Sequence, residues 1–156
     1  MILLQDVFTP SIRHARDIIA GVLEGEDPEP RVSVGGWGRQ YPPFAALVFE
    51  TPANVSIDRP TTNALCGPAC LSVSFDIECQ LWATRATAEA AGELTCRWAT
   101  LVMDAMARNR LAQGVWESAE LSIDRAGSLL KDGAVQSAVD FHIRVRVPHR
   151  VQSEKE

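Results

Sequence analysis

Cys66-Gly67-Pro68-Ala69-Cys70 places two thiols three residues apart, and four cysteines occur in all. Redox and zinc-knuckle pairs carry two intervening residues, so this spacing departs from both. A zinc site also needs two further ligands, and Cys79 and Cys96 do not form a second close pair. Cys79 falls on the apolar side of its segment by parity, where a thiol acts as a small hydrophobe. Reduced thiols and no metal are expected. The three histidines, His14, His142 and His149, are scattered and form no HExxH pairing, and no Gly-x-Ser-x-Gly elbow is present. Asp76 and Glu78 stand two apart on one strand face, roughly 7 Å from each other. Such a pair has the chemistry for acid-base work or for a divalent cation, but nothing nearby completes a set, and acidic residues on a solvated strand face are commoner. Gly35-Gly36-Trp37-Gly38 lacks the Lys-Ser/Thr of a phosphate loop and reads as a turn. No catalytic residue, cofactor or enzymatic activity is expected.

The whole composition agrees with a folded chain. It has 156 residues, 46% hydrophobic and 22% charged, the balance of a globular protein rather than a disordered one. No apolar run approaches the roughly 18 residues of a membrane span, and the first residues lack the pattern of a secretory signal. A protein made in the cytoplasm, without membrane contact, is the expectation. Lys and Arg total 15 against 20 Asp and Glu, a net charge of -5. Duplex binding by counterion release needs clustered basic residues, and none are clustered here. An acidic balance still permits passive contact with DNA sliding through a conduit.

The elements that would position these groups follow from periodicity. Thr9 as N-cap, Pro10 at the first helical position and Gly25 as a C-terminal stop predict a first helix. Ile12, Ala15, Ile19 and Val22 form its stripe. Arg31–Val34 and Phe44–Phe49 read as strands. From Glu50 to Pro68 the residues predict a long loop or an extended hairpin. Residues 71–82 alternate cleanly between apolar and polar, predicting a long half-buried strand. A helix is expected from about Thr84 to Arg110, with Gly92 allowing close approach to the sheet. Residues 115–124 and 135–147 form two more alternating strands, with Lys131-Asp132-Gly133 at the turn. The result is an α+β protein: one mainly antiparallel, mixed sheet of four to five strands, with two helices packed on one face. Residues 1–150 would form a single domain and 151–156 a polar tail.

If the alternation holds, Trp82 and Trp116 fall on the polar sheet face, where tryptophan marks an interface. His142, Arg144 and Arg146 supply a basic end there, and Asp76, Glu78, Glu120 and Asp124 supply acidic positions. Arg59, in the long segment, joins this candidate interface. Opposite charges on one repeated surface suit subunit pairing in a ring, and they equally suit solvated edges.

Phe75 to Ala83, the Ala-rich segment Ala86 to Met106 and the closing hairpin of Trp116–Asp124 and Val135–Val147 carry a resemblance. In pattern and order the chain resembles the tail terminator, or tail-completion, proteins of long-tailed bacteriophages and gene transfer agents. The resemblance implies a structural virion protein at the head-tail junction. Such proteins form a ring, typically a hexamer, on the head-proximal end of the tail tube. They end tube polymerisation and join the head connector. The implied partners are further copies of the chain, the tail tube protein and the head-tail connector protein. A head-tail connector or neck subunit of similar fold stays open. So do a small soluble enzyme or ligand-binding domain using Asp76, Glu78 and His142, and a thiol-metal protein built on Cys66 and Cys70.

Overall fold

Strict alternation over residues 70–85 forces a strand with one apolar and one polar face, and this strand is the spine of the molecule. The computed structural model describes residues 4–27, 29–34, 44–58, 70–131 and 134–150. The order is α1 (Leu4–Leu23), β1 (Arg31–Val34), β2 (Phe44–Asp58), β3 (Cys70–Arg85), α2 (Ala88–Arg108), β4 (Ser118–Lys131) and β5 (Ala134–Arg150). The five strands make one sheet in the order β1-β2-β3-β5-β4. Only β1 and β2 pair in parallel; the other neighbours are antiparallel. Strands β3 and β4 therefore run the same way, joined through α2, with β5 inserted between them. The fold is α+β, as expected.

Val73, Phe75, Ile77, Cys79, Leu81 and Ala83 of β3 and Val139, Phe141, Ile143 and Val145 of β5 are buried on the helix side. Helix α2 lays Ala91, Trp98, Ala99, Val102 and Met106 on this surface, and α1 adds Val7, Phe8, Ile12, Ala15, Ile19 and Leu23. Burying each large side chain is worth about 1.5–3 kcal/mol, so this single layer dominates stability. The polar Thr95 of α2 is accommodated because its hydroxyl meets Ser137 of β5 at 3.0 Å and donates to the Ala91 carbonyl at 3.2 Å.

Helix boundaries depart from the sequence expectation, each for a packing reason. Helix α1 starts at Leu4 and runs through Pro10, which was expected at its first turn. Extending it buries Val7 and Phe8, with Phe8 set edge-on to Phe75 at 4.6 Å, which offsets the backbone bond that proline removes. Its end is as expected. Gly25 adopts φ +85°, and the Glu26 amide reaches back to the Leu23 carbonyl at 3.2 Å. The second helix begins at Ala88 rather than Thr84, because β3 pairs with β5 as far as Arg85 and Thr87 is the N-cap, accepting from the Ala90 amide. Gly92 makes no close approach to the sheet: a Cβ built there meets nothing within 4 Å.

Two segments differ more. Of the expected loop or hairpin from Glu50, residues 50–58 belong to β2 and pair with β3, with register irregularities between Val48 and Ser56. Asn54 has φ +54°, a left-handed conformation that asparagine tolerates well. Arg59, Cys66 and the remainder up to residue 69 lie outside the described residues. Trp116 was expected on the exposed face, and it is core instead, 2% exposed. Strand β4 starts only at Ser118, so the alternation cannot be extended back to Trp116. The chain there turns through an isolated bridge between Ala112 and Trp116. The indole donates to the Asn109 carbonyl at 2.9 Å and packs edge-on to His14 at 4.8 Å.

Two outcomes follow for chemical denaturation. Gly92→Ala should stabilise the protein by about 0.5–1 kcal/mol, because the added methyl meets no neighbour and lowers the entropy lost on folding. Trp116→Ala should destabilise it by about 3–5 kcal/mol; a loss under about 1 kcal/mol would return Trp116 to the surface.

Candidate functional site

The sheet face away from the helices gathers most of the polar residues singled out from the sequence, and register determines who meets whom. Asp76 lies opposite Arg144, Glu78 opposite His142, and Gln80 opposite Asp140. On the far side of β5, Arg144 faces Glu120 and His142 faces Ser122. Because side chains alternate, all of these stand on one face.

Asp76 is the centre of a closed knot. It is only 8% exposed, accepting from the Asn54 amide at 2.7 Å through one oxygen and from Arg144 at 3.2 Å through the other. Arg144 also donates to the Asn54 carbonyl at 2.7 Å and to the Ser56 hydroxyl at 3.2 Å. The irregular part of β2 is thus held to β3 and β5 by one guanidinium. Asp76 and Arg144, both expected at an interface, are paired with each other across the strands, with Arg144 still partly exposed.

The next rows are similarly compensated. His142 Nδ1 lies 2.8 Å from Asp124, which a bulge between Ile123 and Arg125 brings to this face. Asp140 accepts from Gln80 at 2.6 Å and from Arg125 at 2.9 Å, and Arg146 pairs with Glu117 at 2.7 Å. Glu78 is exposed and has no ion-pair partner among the described residues. Trp82 is half-buried on this face, level with Phe44 and Ala138. Glu78, Gln80, Asp124, Arg125 and Asp140 line a half-open recess of about 440 Å³. Among the described residues no His, Cys, Asp and Glu cluster could hold a metal ion. Burial pushes the Cys79 thiol well up, with Glu78 adding to the effect, so it stays protonated and unreactive.

Sequence reasoning found both sides of the Asp76–Arg144 and His142–Asp124 pairs but did not join them. Asn54 and Arg125 were missed because a positive-φ residue and a bulge leave no periodic signal, and Gln80 and Asp140 read only as polar positions of their strands.

Unspent interaction capacity lies at the sheet margins. Val34, Val55, Ile57 and Ile123 are exposed strand residues, and Met103 is exposed on α2 beside β4. A second recess of about 340 Å³, lined by Met103, Met106, Arg110, Ala119, Glu120 and Leu121, follows the β4 edge. No described helix is long and apolar enough to cross a membrane.

These features define an α+β protein whose polar sheet face is largely paired within itself and whose margins expose Val34, Val55, Ile57 and Ile123. No protein-family model matches the chain, and no curated protein matches it. Among solved structures it is similar to a chain of the virion of a native gene transfer agent particle. The TM-score is 0.50 at 14% identity, over 94% of this chain and 99% of that one. At this identity the likeness is one of fold, and it extends over nearly the full length of both chains.

Asp76→Asn should cost about 2 kcal/mol in denaturant unfolding, because an amide nitrogen must then face one of the two donors, Asn54 or Arg144. A double-mutant cycle with Arg144→Ala should show coupling well above the roughly 0–1 kcal/mol of an exposed pair; additive effects would mean the knot is not formed.

Proposed function

We propose that this chain is a structural virion protein. In this reading it forms a ring, hexameric as in the proteins it resembles, on the head-proximal end of a phage-type tail tube. It ends tube polymerisation and joins the tail to the head connector. The observation that carries the reading is the fold shared end to end with a chain of a gene transfer agent virion. The site adds support. Most of its carboxylates and cations pair with one another across strands, which leaves the outer strand edges for contacts between copies. The net charge of -5 suits a conduit that DNA passes without being held.

Immunogold labelling of this chain on intact particles, viewed by electron microscopy, tests the reading. Label is expected at the single junction of head and tail. Label along the tail would make the chain a tube subunit, and label confined to unassembled protein would overturn the virion reading.

A further inference from the structure

We infer that successive copies of this chain join by strand addition, the β4 edge of one copy pairing with the β1 edge of the next; the inference rests on the ring reading above. Strands β1 and β4 are the outermost in the sheet, so each copy has two unlike edges. Unlike edges that fit each other build head-to-tail contacts, which generate a ring where the rotation between copies closes.

Three geometric facts make the edges complementary. The first is height. Following the pairing across the sheet, Val34 is level with Leu47, Cys79, Phe141 and Ile123, and Arg31 is level with Phe44, Trp82, Ala138 and Gly127. The four residues of β1 therefore stand at the level of Ile123–Gly127, at the opposite edge. That is also where β4 is open. Nearer its start the Ala119 amide is taken by the Arg110 carbonyl, whereas Ser122 to Ser128 are all exposed.

The second is direction. Strand β1 runs with β2 and β5, and β4 runs against them, so copies set side by side with the same face forward present β4 antiparallel to β1. Antiparallel pairing is the slightly more stable mode.

The third is chemistry. Val34 and Ile123 are on the helix side of the sheet and stay 38% and 46% exposed. Edge pairing sets one against the other and removes both from water. On the opposite face the exposed Arg31 stands level with Gly127 and next along the seam to Arg125, whose charge Asp140 already holds. The edge from Ile123 to Gly127 is exposed and carries neither lysine nor proline, with Asp124 and Arg125 standing at its bulge.

The test is disulfide trapping with Cys66, Cys70 and Cys96 changed to Ser and the buried Cys79 retained. Val34→Cys and Ile123→Cys are prepared singly, mixed, and combined in one chain, with stoichiometry read by native mass spectrometry. Within one chain the two positions are about 19 Å apart across four strand spacings, far beyond the roughly 7 Å a disulfide spans. The mixture should give a mixed dimer that neither variant gives alone, and the doubly substituted chain should give a covalent ladder ending in a closed ring. Coupling of Ile123→Cys with itself would reveal β4–β4 pairing and overturn the inference. Rings without coupling would also overturn it while leaving the ring reading intact. Monomer at every concentration, without coupling, would overturn both. Ile123→Lys, a change at a half-exposed position, should leave thermal unfolding unchanged and abolish assembly.

Discussion

The unbroken pairing of β3 with β5 is the interaction on which everything else depends. All 16 residues of β3 find a partner on β5, from Cys70 opposite Arg150 to Arg85 opposite Val135, without a bulge. A register slip of one residue would turn the apolar side of β3 outward and its charges inward, so the core and the polar face are specified together. On one side the pairing lines up Phe75 with Val145 and Ile77 with Ile143 under the helices. On the other it lines up Asp76 with Arg144 and Glu78 with His142.

The two faces are consequently stabilised by different physics. The helix side is held by removal of apolar area from water, with Trp98 and Trp116 as its bulkiest buried side chains. The other side is held by hydrogen bonds between charges that the strand spacing brings together. Asp76 would be costly to bury alone, and the Asn54 amide and Arg144 guanidinium offset that cost while tying the irregular end of β2 to the sheet. Charges paired in this way hold neighbouring strands in register. The recess beside Glu78 is lined by groups of which most already bond each other.

This division leaves exposed apolar side chains at the margins. Two helices cover one face of a five-stranded sheet, and Val34 and Ile123 of its outer strands stay exposed. In an isolated chain such edges are a hazard. In the ring proposed above they are where copies would meet, on a sheet held rigid by its own pairing.

Much of the fold was legible in the residues themselves. The period-two alternation of 71–82 and 135–147 and the left-handed glycine after α1 are local properties. Each segment reports its own conformation through side-chain spacing and backbone sterics. The α+β class and the one-sided packing of the helices follow from those patterns. Three things were not legible. Helix α1 continues through Pro10 because Phe8 has Phe75 to meet, a contact between residues 67 positions apart in the chain. Trp116 is core because the strand begins two residues after it. Asp76 and Arg144 bond each other because β5 is inserted beside β3. A sequence records which groups are apolar or charged and how they are spaced along one strand. Which strand lies next to which, and hence which charge is neutralised and which edge stays open, is determined by long-range packing.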